Sequence, residues 1–341
     1  MPIEILENVS LAPLTTLKVG GPSRYFATAR SENDIVDAFE YADLHKLDVF
    51  VLGGGSNILV SDKGFEGLAL HIALSGIDFG SDLRVAAGEN WDTLVAKCVE
   101  KGLAGFECLS GIPGSVGGTP VQNVGAYGQE VSETIVSVRC FDRESRNFIE
   151  LSNQECGFEY RKSIFNSTQR DRYVVISVTF ALSAGGSPKI VYKDLNEHFG
   201  ENEPTLIETR EAVLKIRRAK SMVIDESDPN SRSAGSFFKN PIVPSSVPSK
   251  IAESLKIQNV PSFRFSESEA KIPAAWLIEN AGFSKGYIHG NAGISSNHSL
   301  AIINRGNASA NEIMELENMI QKAVKERFGI ELQPEPIFVG F

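Results

Sequence analysis

The chain has 341 residues, 42% hydrophobic and 22% charged, with a formal net charge of −10. That length exceeds what one hydrophobic core normally serves, so two or three domains are expected, and the mix is ordinary for a water-soluble globular protein. The acidic balance argues against general nucleic-acid binding, which wants a basic face, and requires any anionic ligand to be met by a local cluster of Lys and Arg.

Read in order, the N-terminus (Met1 to Ile5) shows no basic region leading into an apolar run, so no signal peptide is expected. Arg24 to Ala29 reads as a strand. Ser31 with Asp34 resembles a capping box, followed by Ile35, Phe39 and Ala42 at helical spacing. Asp48 to Leu52 reads as a buried strand running straight into Gly53-Gly54-Gly55-Ser56-Asn57, and Ile58 to Val60 continues as strand. A glycine turn between strands can present backbone N–H groups to an anion. It is neither a dinucleotide-binding fingerprint, since Ile58 stands where the third glycine would fall and no helix opens, nor a Walker loop, since no Gly-Lys-Ser/Thr follows.

After a strand at Leu83 to Ala87, Asn90 caps a helix with Trp91, Leu94, Val95, Cys98 and Val99 on one face, ending at Gly102. The segment Leu109 to Gly128 then holds six glycines, two prolines and no charged residue. It cannot be an ordinary helix or central strand, and its uncharged length argues against a plain surface loop. It is a second candidate nest, and two such nests suggest one extended ligand carrying a pyrophosphate.

Strand-like runs follow at Ile135–Phe141 and Tyr173–Leu182, the latter too short to span a bilayer and interrupted by Ser177 and Thr179. Thr205 with Glu208 opens a helix bearing Ile207, Val213, Leu214 and Ile216, whose terminal Arg217, Arg218 and Lys220 complement the helix dipole. Met222 to Ser233 is polar and aperiodic, a mobile loop or a domain crossover. Ser236 follows a glycine and precedes two aromatics, Phe237 and Phe238. Lys271 to Asn280 reads as helical, and Ser309 with Glu312 opens a helix running to Phe328 and stopped by Gly329. In the tail, Glu335 lies between Pro334 and Pro336, which hold its backbone extended.

Four cysteines (Cys98, Cys108, Cys140, Cys156) form no C-x-x-C pair and read as reduced thiols. Five histidines show no metal-ligand spacing and no serine sits in a Gly-x-Ser-x-Gly elbow, so no metal site or hydrolase triad is expected.

Taken together, Gly53–Asn57, Gly111–Gly128, Tyr160-Arg161-Lys162-Ser163-Ile164-Phe165, Gly235-Ser236-Phe237-Phe238-Lys239-Asn240-Pro241 and Pro334-Glu335 resemble the UDP-N-acetylenolpyruvoylglucosamine reductase family over nearly the whole chain. The resemblance implies an α+β protein: a vanillyl-alcohol-oxidase or p-cresol-methylhydroxylase type FAD domain of two α/β subdomains, then a substrate-binding domain. The expected boundaries are 1–200 for the FAD domain (subdomains about 1–75 and 76–200), 205–330 for the substrate domain, and a 331–341 tail returning to the FAD half. Ile190 to Leu195, with Tyr192, resembles the extra tyrosine loop of the family's first subtype.

By the same resemblance FAD is bound non-covalently and NADPH is the co-substrate. Arg161, Ser236 and Glu335 match the catalytic positions. Gly53, Gly54, Gly55, Ser56, Asn57, Ser110, Gly111, Pro113, Gly114, Ser115, Gly117, Gly118, Asn123, Gly125, Ala126 and Tyr127 are expected at the cofactor. Tyr192, Lys220, Lys239, Asn240, Lys271 and His298 are expected at the UDP-sugar. Two departures stand out: Ile337 replaces an arginine that some members carry two residues after the glutamate, and the loop before Ser236 is longer. The alternatives are a flavin oxidase or dehydrogenase of the same FAD superfamily, or a non-catalytic nucleotide-sugar-binding protein. No histidine precedes His45, which favours dissociable FAD. A cytoplasmic monomer with no nucleic-acid or membrane partner is expected.

Overall fold

In a computed structural model that describes residues 3–341, the chain divides into two compact units. The first comprises the chain up to Ser10, Pro22–Gly55 and Phe65–Val223; the second comprises Leu11–Gly21, Ser56–Gly64 and Ile224–Phe341.

The first unit holds two sheets. In one, Ile5–Ser10 pairs antiparallel with Pro22–Ala29, which runs parallel to Phe65–Ile72, itself parallel to Val49–Leu52. Helix α1 (Glu32–His45) makes the crossover, burying Ile35, Ala38, Phe39 and Ala42 at i, i+3, i+4 and i+7. Its capping box is formed: Ser31 Oγ accepts from the Asp34 N–H at 3.2 Å while the Ser31 N–H donates to Asp34 at 2.9 Å. The other sheet is antiparallel, in the order Asn147–Ser152, Ile135–Asp142, Tyr173–Phe180, Leu83–Ala86, Ile77–Phe79. Helix α2 (Trp91–Glu100) is capped by Asn90, whose side chain accepts from the Thr93 N–H. Trp91 packs edge-to-face on Phe106, Phe106 on Phe180, and the indole N–H donates to the Leu109 carbonyl at 3.1 Å. That bond anchors the start of the glycine-rich segment in the core.

Two further helices, α3 (Lys193–Phe199) and α4 (Leu206–Ala219), close a smaller cluster of Leu195, Ala212, Val213 and Cys108. The 205–223 stretch was expected to open the second domain, yet it clusters with the first unit because α4 buries its apolar stripe there. Ile207, expected on that stripe, is 55% exposed; the stripe runs instead through Leu206, Thr209, Val213 and Arg217.

In the second unit, α5 (Val247–Leu255), α6 (Ala274–Asn280) and α7 (Ala310–Phe328) pack around Ile313, Leu316, Ile320 and Val324 of α7. Ala292–Ile294 and Ile302–Asn304 form an antiparallel pair against α7. The expected helix from Lys271 is shorter: Glu269–Lys271 is a strand between Ile242–Pro244 and Phe263–Arg264, and the helix opens after Pro273. A residue preceding proline is pushed out of the helical region, which moves the boundary to Pro273. The tail strand Ile337–Val339 pairs in parallel with Ile58–Val60. The polar stretch Met222 to Ser233 contains the crossover between units, and beyond it Ser231 Oγ donates to the carbonyls of Asp225 and Asp228.

Candidate active site

In the first unit the two glycine segments meet. A Cβ at Gly54 would lie 2.6 Å from Gly114 Cα, and one at Gly53 would lie 2.9 Å from Ser115 Oγ. Only glycine allows backbones this close. Ser115 is placed by a bridge to Asn90, with the Trp91 N–H donating to the Gly114 carbonyl and the Val116 N–H to the Glu89 carbonyl. The N–H groups of Gly54, Gly55, Gly114 and Ser115 donate to no group among the described residues. Such convergent backbone donors form an anion cradle.

Several residues expected at the cofactor instead hold the segment's shape. Ser110 Oγ donates to the Glu107 carbonyl, the Gly111 N–H donates to Asp92, and the Gly117 N–H donates to the Ala87 carbonyl. Asn123 is 1% exposed and its side chain is fully engaged, donating to Glu130 and the Glu159 carbonyl and accepting from the Ser132 N–H. Gly118 is open, with nothing within 4 Å of where a Cβ would stand.

Arg161 sits at the tip of a tight turn closed by Glu159 and Lys162, with φ 55. Its Nη2 donates to the Gly125 carbonyl at 2.8 Å, and a Cβ at Gly125 would lie 3.1 Å from Nη1. Gly125, expected at the cofactor, thus also makes room for the arginine.

Beyond it, the Tyr127 and Tyr192 rings meet edge-to-face with centroids 5.4 Å apart. Burial raises the Tyr127 phenol above its ordinary range although Arg217 and Lys220 oppose the shift. Lys220 is paired with Asp194 at 2.8 Å. Arg217, read from sequence as a dipole complement, is only 7% exposed. One of its terminal nitrogens donates to the Met222 carbonyl, Tyr127 lies beside it, and Nε has no partner among the described residues. Burial lowers its pKa, with no carboxylate bonded to offset this. The missed signal was positional: Arg217 lies four residues after Val213, on the apolar stripe. Nearby, Arg210 grips Asp92 through two bonds of 2.6 and 3.0 Å.

In the second unit the segments carrying Ser236 and Glu335 are laced together by backbone. The Glu335 N–H donates to the Phe237 carbonyl, Phe238 bridges Pro334, and the Lys239 N–H donates to the Gln333 carbonyl. The other edge of the tail is held by Asn57, whose side chain donates to the Glu335 carbonyl and whose own carbonyl accepts from the Ile337 N–H. Ser236 Oγ lies 3.4 Å from His298 Nε2, and the Phe237 N–H donates to the Leu300 carbonyl. Asn240 Oδ1 accepts from the Ala274 N–H, capping α6. Lys271 stands on the central strand of its small sheet, with Nζ 5.9 Å from the Phe265 ring centroid.

Residues 228–339 match the family description "UDP-N-acetylenolpyruvoylglucosamine reductase, C-terminal domain", and residues 23–147 match "FAD binding domain". The chain is 44% identical to the UDP-N-acetylenolpyruvoylglucosamine reductase of Streptomyces coelicolor, over 99% of this chain and 91% of that one. It belongs to the UDP-N-acetylenolpyruvoylglucosamine reductase family. The Thermobifida fusca reductase is 42% identical over 100% and 99% of the two chains. The crystal structure of the reductase from Thermus caldophilus superposes with a TM-score of 0.68 at 26% identity, covering 99% and 98%.

Members of this family are oxidoreductases, and the chain is an FAD-dependent one. The cradle fits that cofactor: two touching glycine segments supply backbone donors that are unpaired among the described residues, and a Cβ at Gly53 or Gly54 has no room.

Proposed function

We propose that the chain reduces the enolpyruvyl ether of UDP-N-acetylglucosamine to UDP-N-acetylmuramate, as a cytoplasmic monomer supplying peptidoglycan synthesis. The observation that carries this reading is the backbone lacing of the Ser236 segment to the Glu335 segment. It holds the backbone of the two segments together, and on this reading their hydroxyl and carboxyl act as proton donor and electrostatic partner. Bound FAD would supply hydride-transfer chemistry between NADPH and the substrate's β-carbon.

Hydride arrival at the β-carbon builds negative charge on the conjugated carboxylate. Arg161 and a neutral Glu335 each bond that carboxylate, and removing such a partner typically costs on the order of 3 kcal/mol of barrier. Neutral Glu335 donates a hydrogen bond; ionised, it would repel the developing charge. Ser236 gives its proton to the α-carbon, and Lys239 eases the transient alkoxide. Gly53–Asn57 with Pro113, Gly114, Ser115, Gly118, Gly125, Ala126 and Tyr127 hold the cofactor, while Ser110, Gly111, Gly117 and Asn123 keep the shape of the segment that presents them. Tyr192, Lys220, Asn240, Lys271 and His298 hold the UDP-sugar, the two lysines supplying the local positive charge that an acidic chain must concentrate. Arg217 adds a buried cation beside Tyr127.

The test uses Glu335→Gln and Arg161→Met as FAD-loaded proteins. Each is expected to lose roughly 10²-fold or more in kcat/KM for the enolpyruvyl nucleotide. A Glu335→Gln enzyme fully active across the pH–rate profile would overturn the role given to that carboxyl.

A further inference from the structure

Lys220, assigned above to the UDP-sugar and there read as a partner of its diphosphate, does not wait empty-handed. Its Nζ is 2.8 Å from Asp194 Oδ2, and both side chains remain about a third exposed, 39% and 33%. Asp194 is the second residue of α3, two positions after Tyr192, and α3 packs directly on α4, whose C-cap is Lys220. The Tyr127 and Tyr192 rings lie beside the pair, and both contribute to the charge that Lys220 experiences. Burial alone would lower the Lys220 pKa, but the Asp194 bond and its neighbours reverse this, and the ammonium is held charged. Arg217 is the other cation of this corner and, among the described residues, has no carboxylate bonded to it. Of two neighbouring cations, then, one is neutralised by the chain itself at its exposed end.

A diphosphate brought to Lys220 meets Asp194 as a like charge already seated on the same donor. The ammonium's three donors could bond both anions, but that would seat the two negative groups side by side, and their mutual repulsion favours one occupant. We propose that Asp194 is a resident counter-ion on Lys220 that the nucleotide's diphosphate displaces, so that Asp194 sets how strong an anion must be to bind there. The proposal rests on the assignment of Lys220 to the diphosphate. A monoanion gains too little from Lys220 to expel the carboxylate; a diphosphate, with more charge and more acceptor oxygens, gains enough. Displacement also frees the start of α3, two residues from Tyr192, to settle against the incoming ligand.

The experiment titrates UDP and uridine into FAD-loaded wild type, Asp194→Asn, Asp194→Ser and Lys220→Met. Both Asp194 variants should bind UDP roughly five- to tenfold more tightly while uridine, which has no phosphate, binds unchanged. The gain should shrink towards nothing near 1 M salt, where the screening length falls to about 3 Å. Lys220→Met should weaken UDP. If Asp194→Asn and Asp194→Ser weaken UDP or leave it unchanged while Lys220→Met weakens it, Asp194 positions the lysine and does not compete with the ligand, and the proposal fails. If Lys220→Met leaves UDP binding unaltered, the assignment of Lys220 fails, and the proposal with it.

Discussion

On the function proposed above, the FAD cradle of the first unit is built from atoms that every residue has, whereas the reacting loop of the second is built from particular side chains. At Gly54 and Gly114 two backbones approach until a single added carbon would lie 2.6 Å from its neighbour, and the useful groups are amide N–H donors. Around Ser236 and Glu335 the Phe237 carbonyl and the Glu335 and Lys239 amides hold the two segments together, and the proposed chemistry is left to side chains. The difference teaches where substitutions should hurt. A cradle of backbone is broken by adding atoms; a loop of side chains is silenced by removing them while its fold persists.

The largest expected effect is on the side-chain site. Ser236→Ala should lower turnover on the order of 10³-fold with FAD content and melting temperature close to wild type, because the hydroxyl's nearest described partner is only His298 at 3.4 Å. Loss of FAD in that variant would break the contrast. Next comes Gly54→Val, where two extra carbons and a branched Cβ must force Gly114 away. It should cost roughly 3 kcal/mol of stability and yield largely FAD-free protein, read by absorbance at the flavin band and by thermal melting. Retention of stoichiometric FAD would show that the cradle tolerates what its geometry forbids.

The smallest effect sharpens the contrast from the other side, within the second unit but away from the reacting loop. Glu317 of α7 is 3% exposed, and burial raises its carboxyl to about 7. A carboxyl with a raised folded pKa gives its full stability below the unfolded value near 4.5 and loses it as pH rises through about 7. Glu317→Gln should therefore flatten that dependence and leave the protein more stable by roughly 2 kcal/mol at pH 8, with kcat unchanged. Denaturant melts at pH 5 and pH 8 read this directly. Equal pH dependence in both proteins would mean Glu317 is not desolvated.

What the sequence made legible was local. Capping boxes at Ser31, Thr205 and Ser309, the Asn90 cap and the Gly329 stop all depend on residues within four positions, and all are formed. The two glycine nests were legible because composition alone forbids helix and strand. The separated motifs also identified the family. What escaped depended on distant partners. Nothing near Asp92 announces Arg210, 118 residues on, and nothing near Ile58 announces the tail strand that pairs with it. Arg217 was hidden because a basic residue at a helix end has an adequate local explanation. The regrouping of Leu11–Gly21 and Ser56–Gly64 with the second unit follows from long-range pairing of this kind.

The central claim is that the first unit's backbone serves the cofactor while Ser236 serves the substrate's α-carbon. Anaerobic stopped-flow on Ser236→Ala separates the two, first mixing the yellow enzyme with NADPH and then mixing the bleached enzyme with the enolpyruvyl nucleotide. The account predicts bleaching at the wild-type rate and return of the yellow colour slowed on the order of 10³-fold. Wild-type rates in both steps would contradict it.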